Sequence, residues 1–242
     1  MSTLPLHPIA AATPSSTAQP RSLALGSLLI TDALLSFAPL VVLGAAIGWP
    51  VSLGKPAAEQ LAAIAGAPAS VAIGYGLYLL YSVLIAPVMI GLSARTFGGL
   101  QSPVAITVAA FGALSALARS IGILRWLTVM PVLATAHAGA DPAARAQIEL
   151  DFSAVTAYGG GVGELLGVSL FMAASLGVLC IAGWLRGGMP AWLAAAGLVS
   201  AALLAAMMLP ALRVPLHVPV AAAVTLLTLW MIAAGVWCMR RR

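Results

Sequence analysis

The sequence predicts an all-α, polytopic integral membrane bundle of about six helices, and three observations carry the prediction. Only 7% of the 242 residues are charged while 62% are hydrophobic, against about 25% charged in an ordinary soluble chain. Several uninterrupted apolar runs reach the roughly 20 residues that a helix needs to cross a hydrocarbon layer. Short clusters of proline, glycine and arginine separate those runs, as expected of helix stops and interfacial anchors. A transmembrane barrel is excluded, because barrel strands alternate over about ten residues instead of running apolar throughout.

Residues 1–22 hold four prolines and one cation, Arg21, and read as a disordered cytoplasmic tail. The apolar run from Leu23 is too long for the core of a signal peptide and predicts an uncleaved first span over 23–49. Pro39 interrupts it. Asp32 stands about nine residues in, roughly 13 Å deep at 1.5 Å per residue. A loop with Lys55, Pro56 and Glu59 follows, in which Pro56, Leu61 and Ile64 allow a short interfacial helix. The second span, 71–92, carries Tyr75, Tyr78 and Tyr81; Tyr78 and Tyr81 share a helix face and read as packing residues. Arg95, Gly98 and Gly99 make a turn.

The third span, 104–127, carries Arg119 and Arg125, and Pro131 ends or kinks it. Asp141 before Pro142 is an N-cap followed by proline at the first helical position. Ile148, Phe152 and Val155 then recur at helical spacing, predicting a surface amphipathic helix before the fourth span. That span, 158–185, opens on YGGGVGELLG with Glu164. The fifth and sixth, 191–209 and 218–239, end at Pro210 and at Arg240, Arg241 and Arg242. The single membrane domain is thus 23–242.

Six spans put both termini on one side. With the arginine-rich end in the cytoplasm, Arg21, Arg95, Arg186 and Arg240 to Arg242 lie inside, and Lys55, Arg145 and Arg213 outside. That agrees with the positive-inside rule and predicts a multi-pass protein of the cell (plasma or inner) membrane with cytoplasmic termini. The net charge of +5 reflects these dispersed anchors, so nucleic acid is not an expected partner. The expected partners are the lipid bilayer and a membrane or periplasmic protein. Cys180 and Cys238 read as small buried apolar residues, not a disulfide.

Ionisable groups inside spans are costly and mark the candidate site. Counting residues puts Arg119 and Glu164 some 8–9 Å below the same membrane boundary. The two are therefore expected to form an intramembrane ion pair. Gly159, Gly163 and Gly167 recur every four residues and predict one close-packed helix face. Arg125 with Trp126 reads as an interface anchor, and Asp32 as a further polar site. His7, His137 and His217 with Asp141 match no metal-ligand spacing, so no metal is expected. No nucleophile–base pair, P-loop or haem-binding histidine pair is present, so neither catalytic residues nor a cofactor are expected.

The blocks ARSIGILRWLTVMPVLA, DPAARAQ and YGGGVGELLG, with GYGLYLLYSVLIAP upstream, resemble bacterial six-helix membrane proteins of the domain of unknown function 4386 group. The resemblance spans most of residues 25–240. It implies a six-helix fold with no established activity, and it places Arg119, Arg125, Trp126, Pro131 and Glu164 among the matching positions. Two functional classes stay open. One is a non-enzymatic structural or partner-binding protein clasped by Arg119 and Glu164. The other is a small transporter or channel whose polar path is lined by Asp32, Arg119 and Glu164.

Overall fold

The computed structural model describes residues 22–216 and 218–240, and among them every regular element is helical. The expected tail therefore lies outside the described residues except for Ser22, as do His7, Arg21, His217, Arg241 and Arg242. Helix α1 (Leu23–Leu35) starts at Ser22, whose hydroxyl accepts from the Leu25 amide. The chain then breaks at Ser36 and Phe37 and resumes as α2 (Ala38–Ile47). Pro39 falls in the first turn of α2, where its missing N–H costs nothing. The run expected as one helix is thus two.

Helix α3 (Ala57–Gly66) leads into α4 (Pro68–Phe97). Gly98 and Gly99, at φ 72° and 131°, reverse the chain into α5 (Pro103–Gly139). Asp141 caps α6 (Pro142–Gly160), accepting from the Ala144 amide at 2.9 Å as the Asp-Pro pair predicts. The same helix continues through a π-helical stretch, Gly161–Phe171, into α7 (Met172–Leu185). Helices α8 (Ala191–Ala206) and α9 (Val220–Met239) complete the bundle.

Five of these runs are long and apolar enough to cross a membrane: Leu23–Ile47, Pro68–Phe97, Pro103–Gly139, Pro142–Leu185 and Val220–Met239. Helix α8 has 16 residues, about 24 Å of helix, and is a shorter apolar helix beside them. The chain is therefore a polytopic helical membrane bundle.

Of the two alternatives for Pro131 the first falls, since it does not end α5, which runs on to Gly139. The helix tolerates it because Met130 and Ala134, on either side, are buried against neighbouring helices. The amphipathic segment before the fourth span is not a separate helix on the membrane surface. It is the first part of a 44-residue helical run. Its apolar face packs inward: Phe152 is 1% exposed and meets Trp126 edge-on, and Ile148 and Val155 join the same cluster.

At 37 residues, α5 is about 55 Å long, well beyond the roughly 30 Å of a bilayer core. The tips of α5 and α6 form a hairpin, tied by His137 Nε2 and Glu149 Oε1 at 2.9 Å. The short helix expected near Leu61 and Ile64 is α3, and both residues are buried against this hairpin. We call this the cap end.

The main core lies toward the other end, where Leu29, Ile85, Met89, Leu92, Met172 and Leu176 are completely buried. Here the Ser22 amide donates to the Cys238 carbonyl at 3.0 Å, so the first and last helices meet. Arg95 stacks over Trp237, 4.9 Å from the ring centre, with Arg186 over Phe97 nearby. Helices α4, α5, α7, α8 and α9 are laced by side-chain donors to backbone carbonyls. Ser93 bonds Ala105, Ser175 bonds Val108 and Trp230 bonds Leu193, at 2.7–2.9 Å.

Candidate functional site

Helix α5 and the π-helical stretch approach closely enough that only glycine fits between them. A Cβ on Gly122 would lie 2.7 Å from the Gly163 Cα and 2.8 Å from the Gly159 carbonyl oxygen. A Cβ on Gly167 would lie 2.9 Å from the Arg119 amide nitrogen. Ser115 Oγ donates to the Gly167 carbonyl at 2.7 Å across this seam. The ladder Gly159, Gly163 and Gly167 thus faces α5, with Gly122 as a partner that spacing on one helix does not reveal. Such π-helical turns concentrate at functional sites, and Glu164 stands inside this one.

Arg119 is 2% exposed. Its side chain passes beside Gly167 and turns toward α4, not toward Glu164. The guanidinium lies over the Tyr81 ring, 4.6 Å from its centre, and Nη2 donates to the Tyr81 hydroxyl. The direct Arg119–Glu164 ion pair predicted from depth is therefore corrected. Among the described residues, the ion pairs within 4.0 Å are Lys55–Glu59 and His137–Glu149, both toward the cap end. Residue counting gives height along a helix but not the direction in which a long side chain turns. Glu164 is exposed, lies within electrostatic reach of Arg125, and borders the same space as Arg119 without touching it.

The interface anchor is corrected as well. Trp126 is 4% exposed, stacked on Tyr75 with ring centres 4.7 Å apart. Arg125 is half-buried; it fits against Gly159 and donates to the Gly122 carbonyl at 2.6 Å. A glycine at 159 leaves room for the guanidinium between the helices, so Arg125 fills the α5–α6 seam. Asp32 is fully buried, and neither carboxylate oxygen meets a protein hydrogen-bond donor. It lies within electrostatic reach of Arg119. Tyr81, read from spacing as a packing residue, is the residue that sequence reasoning missed.

Arg119 and Glu164 line a cavity of about 380 Å³, a size typical of small-molecule sites. Tyr78 and Tyr81 from α4, Phe37 and Leu40 from the α1–α2 break, and Val224 and Thr225 from α9 also border it. Asp32 is not among its lining residues. Two of the guanidinium nitrogens of Arg119, Nε and Nη1, have no acceptor among the described residues and are themselves shielded from the cavity. The cavity wall is otherwise mostly apolar, and the Ser36 and Thr228 hydroxyls already donate to Ala33 and Val224 carbonyls. Among the described residues no three metal-ligating side chains converge.

No curated protein and no solved structure matches this chain. A family model does match residues 24–235, and on that span the chain belongs to the family described as Domain of unknown function (DUF4386).

Proposed function

We propose that this protein is a six-span membrane protein that binds a small ligand inside the bilayer without chemically transforming it. The observation that carries the reading is the cavity itself: about 380 Å³ of space within the bundle, walled mostly by apolar side chains with Arg119, Glu164 and Tyr81 at its border, a size typical of small-molecule sites. The alternative, a transport path through Asp32, Arg119 and Glu164, has two of its three residues on one cavity, with Asp32 behind the wall. Binding is the step that transport would also require.

The hydrogen bond between Ser22 and Cys238 supports an even number of passes, since it joins the start of α1 and the end of α9 at one end. The shorter α8 then supplies the sixth. Lys55, Arg145 and Arg213 lie toward the cap end, against Arg95, Arg186 and Arg240 at the opposite end, where the sequence adds Arg21, Arg241 and Arg242. By the positive-inside rule that cation bias supports a reading in which both termini are in the cytoplasm of a plasma or inner membrane and the cap hairpin faces outside, toward a partner.

Native mass spectrometry of protein released from its own membrane tests the binding reading. Wild type is expected to carry a bound small-molecule mass that Thr225→Trp, which fills the cavity from an exposed helix face, lacks. Equal, ligand-free masses for both would reject it.

A further inference from the structure

Resting on the ligand-binding reading above, we infer that the cavity takes a lipophilic organic cation, its ammonium head at the Glu164 carboxylate and its apolar body between α2 and α9. Glu164 is the charged group that the site leaves available. Among the described residues it makes no hydrogen bond, and no basic nitrogen comes within 4.0 Å of it. It is exposed, stands in the π-helical stretch, and borders both the cavity and a small pocket beside it. A carboxylate inside a span with no partner of its own is costly until a cation completes it. Two arginines lie near, and neither takes that role. Arg119 borders the cavity, yet its Nε and Nη1 are shielded, and Nη2 is used on the Tyr81 hydroxyl. Asp32, within electrostatic reach of Arg119, offsets that charge from behind the wall. Arg125 acts on Glu164 at longer range, but the Gly122 carbonyl holds it in the α5–α6 seam, where it lines the small pocket and not the cavity. The charge that an occupant of the cavity can touch is therefore negative.

The rest of the border suits the same chemistry. Phe37, Trp49 and Tyr78 line the cavity, and the negative face of an aromatic ring attracts a cation and repels an anion. Trp49 meets Tyr78 edge-on with ring centres 5.9 Å apart, and Tyr78 stacks on Tyr81 at 5.6 Å, so these rings form one continuous wall. Tyr78 is also within electrostatic reach of Glu164, which sets the carboxylate beside that wall. The apolar body follows from where the cavity opens. Helix α1 packs along α9, but beyond the break at Ser36 and Phe37 the chain leaves it, and α2 packs on α4 instead. The parting exposes Phe37, Leu40 and Val220, at 43–47% each, on the rim of the cavity. From Val220 to Thr228 the α9 wall is about 12 Å long. An opening bordered by apolar side chains on the flank of a membrane bundle suits a molecule already dissolved in the bilayer.

The test uses the full-length protein in phosphatidylcholine nanodiscs, irradiated with a decyltrimethylammonium whose chain carries a diazirine. Labelling is expected on α2 and on the first half of α9. Plain decyltrimethylammonium should compete, and decanol, decanoate and the chainless tetramethylammonium should each compete at least about fivefold less well. Glu164→Gln, a nearly isosteric change at an exposed position, should lower labelling at least about fivefold, with the melting temperature checked alongside. Should that variant fail to fold, Thr225→Trp, expected to abolish labelling, and the competitor series carry the test. Competition by decanol or decanoate equal to that of the cation, or wild-type labelling of folded Glu164→Gln, would overturn the cationic site. Equal competition by tetramethylammonium would assign the site to a small free cation and overturn the lipophilic one. In each of those cases a block by Thr225→Trp would leave the ligand-binding reading standing. Labelling of Thr225→Trp at the wild-type level would remove both.

Discussion

Helix α9 passes through two different environments, and the contrast between its halves shows how the bundle separates holding together from holding something else. Its second half lies against α1 with backbones almost touching. A Cβ on Gly235 would lie 2.9 Å from the Gly26 carbonyl oxygen, and one on Gly26 would lie 2.7 Å from that of Gly235. Its first half faces open space, because the partner chain breaks at Ser36 and turns away. The same difference divides the whole protein. Toward the cationic end the helices are regular and the core is filled. Toward the cap end come the α1–α2 break, the π-helical stretch and a short 3-10 turn at Leu209–Leu212. Both ends have buried clusters, but the cavity lies where the chain is irregular.

The largest expected departure from this division is Trp126→Ala. Trp126 lies in the cap cluster between Tyr75 and Phe152, and its removal should cost about 3–5 kcal/mol. A cap-end mutation of that size, read from denaturation in mild detergent, would show that the cap has a filled core of its own. A loss below about 1 kcal/mol would mean that the α3–α5–α6 cluster contributes little to stability.

Gly235→Leu should cost about 1–3 kcal/mol by forcing α1 and α9 apart, whereas Ala221→Trp, on the cavity side of the same helix, should stay within about 0.5 kcal/mol. Paired melting curves of the two variants test the contrast within one helix. Equal losses would abolish it. Tyr81→Phe keeps the ring under Arg119 but deletes the acceptor, and should cost about 1–3 kcal/mol in the same assay. No change would mean that another group takes over the freed donor. Lys55→Ala, which breaks an exposed pair at 3.5 Å with Glu59, should cost less than about 0.5 kcal/mol.

Much of the scaffold was legible because a bilayer imposes length and hydropathy on every span. The Asp-Pro cap at Asp141, the reversal at Gly98 and Gly99 and the glycine face of the fourth span are all local signals that the structure uses. What was not legible depends on neighbours. Pro131 looks like a stop until Met130 and Ala134 are seen buried beside it. Phe152 looks like a lipid-facing residue until Trp126 is placed across from it. Arg119 and Glu164 have matching heights, yet the pair fails because Tyr81 offers the guanidinium an aromatic face and an acceptor on another helix. Height is a one-dimensional property and can be counted; the direction of a side chain is set in three dimensions by residues far away in the chain.

The hydrogen bond from Ser22 to Cys238 also has a consequence in time. Helix α1 finds its closest partner in α9, some two hundred residues later in the chain. At about 5–20 residues per second, α1 waits roughly 10–40 s in the membrane before α9 is synthesised. During that interval the groove at Gly26 is uncovered and Asp32 has no completed core around it. The described bundle is therefore closed by α9, as a barrel is by a late stave, and a ribosome that stops before Val220 leaves α1 unsealed.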